Sequence, residues 1–187
     1  SDNWCSDKPL SDWYGVETDA SGHVTALRLS HNNLSGTISE KISKLTGLQH
    51  LDLSWNDLGG EISIDIKGYM YSNLDNLLEL ESINFSHNRL EGYLPDNWYK
   101  LEKLQYLNLS FNRIKSWLST IWDPMFKNGR TVDLILNGNY LYGDIPKSIQ
   151  DHPDWNRLAL QMIRQNPGGA RLNYDKDIYL PDFTFTD

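Results

Sequence analysis

Five histidines, one cysteine and an acid excess of 25 Asp and Glu over 17 Lys and Arg are the residues of this chain with chemical reach. A metal needs imidazoles, thiolates or carboxylates converging on one point, each at about 2 Å. His31 and His87 stand at equivalent places in two segments that the chain's periodicity sets two strands apart, so roughly 10 Å separates them at about 4.8 Å per strand. Trp55 holds the equivalent place between them, and His50 lies several residues back along its strand. No metal and no cofactor is expected. Cys5 is alone, so it can close no intrachain disulfide and lacks the companions of a zinc site. Asp52 and Asp133 are about three strand spacings apart, too far to act as acid and base on one bond. Phosphate-binding loops, dinucleotide fingerprints, H-E-x-x-H and G-x-S-x-G are all missing. The expectation is a chain without catalysis. N-x-S sequons occur at Asn33, Asn84 and Asn108, two of them from strand spelling, so glycosylation is not assigned.

With a formal charge of −8 and no basic cluster, the chain is not expected to bind nucleic acid, which demands a local Lys/Arg excess. Uninterrupted apolar stretches are only a few residues long, so no transmembrane segment is expected. Leu occurs 27 times and Asn 17 times, and both recur in register. LRLSHN at 27–32 returns as LDLSWN at 51–56, INFSHN at 83–88, LNLSFN at 107–112 and LILNGN at 134–139. The starts are separated by 24, 32, 24 and 27 residues, a period of 24 with insertions after the second and fourth blocks. Beyond each Asn the blocks stay aligned. Ile38, Ile62, Leu94, Leu118 and Ile145 form one apolar column, and Ile42, Ile66, Trp98, Trp122 and Ile149 the next. Alternation in L-x-L is a strand with one face in a core, and a unit this short can bury that face only by stacking on its neighbours.

The pattern LxxLxLxxNxLxGxIPxxIxxL resembles the leucine-rich repeat family, in its 24-residue plant-type subclass as also found in bacterial surface proteins. The resemblance implies an α/β right-handed solenoid with a concave parallel sheet, five repeats over 23–150 and a cap at each end. It also implies an extracytoplasmic place, secreted or anchored at the cell surface. The N-terminal cap is expected over 1–22, as a short helix and a hairpin strand; the C-terminal cap over 151–187, as a helix stopped by Pro167-Gly168-Gly169 and an extended tail. Trp13-Tyr14-Gly15-Val16 is similar to the W-x-G-V element before plant-type repeats, but around Glu17-Thr18 the paired cysteine is missing, which favours a bacterial context. Asn32, Asn56, Asn88, Asn112 and Asn139 read as a buried amide ladder that hydrogen-bonds the turning backbone.

Recognition is expected on the sheet's outward columns. The first reads Ala26, His50, Ser82, Tyr106 and Asp133, and the second Arg28, Asp52, Asn84, Asn108 and Ile135. A third outward column of Ser30, Ser54, Ser86, Ser110 and Asn137 reads as small and polar; beside it runs a ring stripe of His31, Trp55, His87 and Phe111, ending at Gly138. Trp55, His87, Tyr106 and Phe111 are the expected binding centre, with His50, Asp52, Asn84 and Asn108 as hydrogen-bonding surroundings. A protein or peptide ligand is the first expectation. A glycan stacking on the rings is the alternative, as is a non-catalytic front domain of a larger bacterial surface enzyme, suggested by Leu180-Pro181-Asp182-Phe183-Thr184. The insertion near 63–76 reads either as a recognition loop or as apolar packing through Ile64, Ile66, Tyr69, Met70 and Tyr71.

Overall fold

The computed structural model describes residues 3–126, 132–168 and 171–178. After a 3-10 turn at Leu10–Asp12, strand β1 (Val16–Thr18) runs antiparallel to β2 (Val24–Arg28). Strand β3 (Ser35–Thr37) follows, then a 3-10 helix at Glu40–Lys44 that brings the chain back to β4 (His50–Asp52). The next coil carries β5 (Asp57–Glu61), an antiparallel hairpin of β6 (Ile64–Ile66) and β7 (Tyr69–Tyr71), and a 3-10 helix at Asn73–Asn76. Strands β8 (Ser82–Asn84) and β9 (Arg89–Glu91) precede the 3-10 helix Asp96–Lys100; β10 (Tyr106–Asn108) precedes the 3-10 helix Thr120–Phe126. Last come β11 (Asp133–Ile135), β12 (Gly143–Asp144), helices α1 (Lys147–Gln150) and α2 (Trp155–Met162), and β13 (Leu172–Asn173).

The large sheet has the order β1-β2-β4-β8-β10-β11, parallel throughout except for β1. Its register aligns Leu27, Leu51, Ile83, Leu107 and Leu134 across the sheet. The last four of these are sealed in the core, while the flanking residues of β4, β8, β10 and β11 stay partly exposed. A three-residue strand with one apolar centre is thus enough, because each coil lends the next its buried face.

A second parallel sheet, β3-β5-β9, closes the coils beyond the turns. It is staggered by two residues from the repeat alignment, pairing Gly36 with Leu58 and Gly60 with Leu90. Trp98 and Trp122 stack between adjacent short helices at 6.3 Å, and the indole of Trp122 donates to the Pro95 carbonyl. Over the far end lies α2, burying Trp155, Leu158, Ala159 and Met162. It ends at Met162, before Pro167-Gly168, and β13 then pairs with β12. The segment 179–187, with the motif from Leu180 to Thr184, lies outside the described residues.

Four expectations need correction. Ala26 is fully buried rather than outward, because Glu17 and His50 flank it in register and its methyl cannot reach past them. Asn32 is exposed and its side-chain amide reaches just the Ser30 carbonyl among the described residues, since no coil precedes it, while its backbone N–H donates to Asn56 Oδ1. Ile66 is half exposed in the hairpin; Leu74 in the following short helix is buried in its place. Of Ile64, Ile66, Tyr69, Met70 and Tyr71, Met70 packs inward and the other four stay exposed.

Candidate recognition surface

The turn after each strand decides what the sheet presents. The Asp52 carboxylate accepts from the Ser54 N–H at 2.9 Å and from its hydroxyl at 2.7 Å. Asn84 does the same for Ser86, and Asn108 for Ser110. These Asx turns compete with further sheet pairing and end the strands. They also turn Ser54, Ser86 and Ser110 inward, so these three members of the small polar column are buried and satisfied rather than outward, while Ser30 and Asn137 are partly exposed. One residue later the chain enters the left-handed region, with φ of 56°, 54°, 54° and 55° at His31, Trp55, His87 and Phe111, and 71° at Gly138. Non-glycine residues there are uncommon, and the following amide holds them.

Asn88 illustrates the hold. Its Nδ2 donates to the carbonyls of Leu53, Phe85 and Ser86, and its Oδ1 accepts from the Leu58 N–H. Asn56 and Asn112 repeat the pattern, and Asn139 closes it against Leu109, Leu136 and Ile114. Gln165, just beyond α2, accepts from the Leu141 N–H and donates to the Leu136 and Met162 carbonyls, so it occupies the next rung.

This backbone lines four rings up in one pile. Centroids are 5.2 Å apart from His31 to Trp55, 3.7 Å from Trp55 to His87 and 4.4 Å from His87 to Phe111, with planes inclined by 13°, 14° and 18°. Beyond Phe111 the pile meets Gly138, where an added Cβ would lie 2.7 Å from the phenyl Cδ1. Trp55 and Phe111 remain half exposed, and His87 between them is partly buried. Desolvation by its neighbours, and secondly the charge of His31, holds the His87 imidazole below the ordinary histidine value of 6.5. Because the rings cover one another's faces, the pile offers solvent mainly ring edges.

The remaining expected residues fall nearby but in separate arrangements. His50 Nδ1 pairs with the Ser82 hydroxyl at 2.9 Å. Tyr106 receives a hydrogen bond on its hydroxyl from Asn108 Nδ2, and among the described residues it makes no ring contact with the pile. Asp133 pairs with Arg157 and accepts from Gln161 Nε2, both of α2, and its side chain remains partly exposed. No group of three or more metal-binding side chains converges among the described residues. Nor is any described helix long and apolar enough to cross a membrane.

A second row of aromatic residues went unread in the sequence. Tyr93 meets Trp117 edge-on at 5.4 Å, and Trp117 lies 6.2 Å from Tyr142. Tyr93 and Trp117 each follow the column of Gly92 and Ser116, so the alignment already contained the signal.

Leucine-rich repeat models match residues 23–45, 79–101 and 103–127, and a second leucine-rich repeat model matches 44–62. Solved structures share the architecture. The BIR2 ectodomain from Arabidopsis thaliana is 25% identical with a TM-score of 0.74, over 91% of this chain and 83% of that one. The BIR3–SERK2 complex from the same plant gives 26% and 0.71, over 95% and 85%. The ectodomain of the Arabidopsis receptor kinase HAESA, in complex with an N-terminally extended IDA peptide hormone, gives 26% and 0.67, over 85% of this chain and 25% of that one. The chain is a solenoid of stacked coils with a parallel sheet, similar to leucine-rich-repeat proteins in its repeats and its architecture.

Proposed function

We propose that this solenoid is an extracellular, non-catalytic recognition module that binds a protein or peptide on the exposed face of its large sheet, the face expected to be concave. The observation that carries the reading is the ring pile. Trp55 and Phe111 expose about half their surface, 51% and 53%, at the rim of a rigid sheet, where large rings dominate contact energy. His50, Asp52, Asn84, Tyr106 and Asn108 form the polar ground beside it. Asp52, Asn84 and Asn108 each already use one oxygen in a turn, which leaves Asp52 its second carboxylate oxygen and Asn84 its amide nitrogen, while the nitrogen of Asn108 also donates to the Tyr106 hydroxyl. Ring edges facing outward suit packing against side chains better than stacking against a sugar plane, which favours protein over glycan. The IDA peptide held by HAESA and the pairing of BIR3 with SERK2 support the same class of ligand, and the BIR2 and HAESA ectodomains support the location. The bacterial context is not carried into this proposal, because the relatives named above are plant proteins.

The test is a double change, Trp55→Ala with Phe111→Ala, titrated against a partner captured with the wild-type chain from native extracellular material. Binding should weaken by at least about 2 kcal/mol, in a protein whose circular dichroism is unchanged. Undiminished affinity in the folded double mutant would move the site off this face.

A further inference from the structure

The insertion builds a second surface away from the large sheet. Pairing within the hairpin sets Ile64 opposite Tyr71 and Ile66 opposite Tyr69, which places all four side chains on one face, away from Met70. All four are exposed, Ile64 by 60%. The hairpin is held firmly at its base. Met70 N–H donates to the Asp96 carboxylate, and Ser72 and Asn97 exchange two hydrogen bonds. An apolar face fixed outward on an anchored hairpin is unusual for a free surface.

Beneath Ile64 and Tyr71 opens a cavity of about 300 Å³. Its floor is apolar, formed by Ile42, Ile62, Leu74, Phe85 and Trp98. Trp98 is completely buried, and among the described residues its indole N–H has no acceptor. One coil on, Trp122 gives its N–H to the Pro95 carbonyl. The place of Pro95 in the coil before is taken by Ser63, where the chain leaves for the hairpin. The insertion therefore both raises the apolar face and breaks the acceptor pattern beneath it. Around the mouth stand Glu40 and Glu61, both exposed. The lining holds no Lys, Arg or His, and among the described residues neither glutamate has an ion pair.

We propose that this cavity is a second recognition site for an extended basic peptide segment, an apolar side chain entering over Trp98 while flanking Lys or Arg residues meet Glu40 and Glu61. About 300 Å³ lies at the small end of ligand pockets, suited to a side chain or two. The uncompensated carboxylates select positive charge beside it, and complementary charge sets specificity and encounter rate.

Three blocked pentapeptides serve as probes: acetyl-Gly-Arg-Leu-Arg-Gly-amide, its Glu-Leu-Glu counterpart and its Arg-Ser-Arg counterpart. Each is titrated into the ¹⁵N-labelled chain while the assigned indole N–H signals are followed. The Arg-Leu-Arg peptide should shift the Trp98 indole saturably, with a Kd lower than the other two by about tenfold or more. Glu40→Gln with Glu61→Gln should remove its advantage over Glu-Leu-Glu, and Ile64→Ser, at an exposed position, its advantage over Arg-Ser-Arg. Equal affinities for the three peptides would overturn the proposal. So would a Trp98 signal that stays still while Trp55 responds. Hairpin signals that move with protein concentration alone would assign the face to a second copy of the chain instead.

Discussion

Asn88 and Asn84 carry the same amide four residues apart in one coil, and their surroundings make them unequal. Asn88 is buried and completes four backbone hydrogen bonds, so Asn88→Ala should lower stability by about 3 kcal/mol, since the stranded donors and acceptors are out of water's reach. Asn84 is partly exposed but closes the turn onto Ser86, so Asn84→Ala should cost about 1 kcal/mol rather than nothing. Urea midpoints order the two, and coincident midpoints would refute the assignment. At Gly138 an alanine meets the Phe111 ring and adds a Cβ at positive φ; Gly138→Ala should displace the phenyl, alter the near-ultraviolet circular dichroism and cost about 1–3 kcal/mol. His87 adds a pH dependence. Its folded value lies below 6.5, so around that pH the unfolded chain binds more protons than the folded one. The stability it contributes is full above 6.5 and declines as pH falls below. Urea midpoints at pH 8 and pH 5 should therefore drop more for the wild type than for His87→Phe. Residue spacing made the ring column legible beforehand. It could not show that the rings pile on one another, because that follows from a shared left-handed turn, and nothing in side-chain type announces such a turn at His, Trp or Phe.

Among elements, the short strands were legible and the second sheet was not. L-x-L marks β4, β10 and β11 by alternation, whereas β3 and β5 are built from Ser-Gly-Thr and Asp-Leu-Gly-Gly-Glu, which carry no alternation to read. The hairpin misled for the opposite reason. Ile66 lands on an apolar column when residues are counted from the preceding Asn, but the count assumes that the coil continues. At Lys67-Gly68 the chain turns back instead, with φ of 56° and 85°. Two residues at positive φ are the signature of a type I′ hairpin turn, and glycine is needed at the second. Gly68→Ala should strain that turn by about 1 kcal/mol without touching the core, because nothing lies within 4 Å of the added Cβ. Hydrogen exchange should quicken in Ile64–Tyr71 and stay unchanged in β8 and β10. Quickening throughout would mean that the hairpin supports the solenoid rather than riding on it.

At the scale of the molecule, stability is a sum of coils and the contacts between neighbours. The amide ladder belongs to those contacts, since each Asn from Asn56 onward closes a donor of the coil before its own. At the far end that duty passes to a glutamine following α2, whose extra methylene lets it reach the same groups. Gln165→Ala should therefore loosen the last coil selectively, with the Leu141 amide exchanging faster while Leu58 and Leu90 keep their protection. Uniform loss across the array would contradict nearest-neighbour behaviour. Gln165 was invisible to the repeat alignment because it sits outside any leucine pattern, and only its geometry marks it as a rung.

The ladder also has a direction in time. Every rung from Asn56 to Gln165 accepts from a backbone N–H that precedes it by 22 to 30 residues. A chain emerging from the ribosome N-terminus first always carries one finished strand whose turn is still open to water, waiting for an amide not yet made. Each new coil seals its predecessor and leaves itself unsealed. The last donor of the ladder, that of Leu141, is answered only when residue 165 has been added.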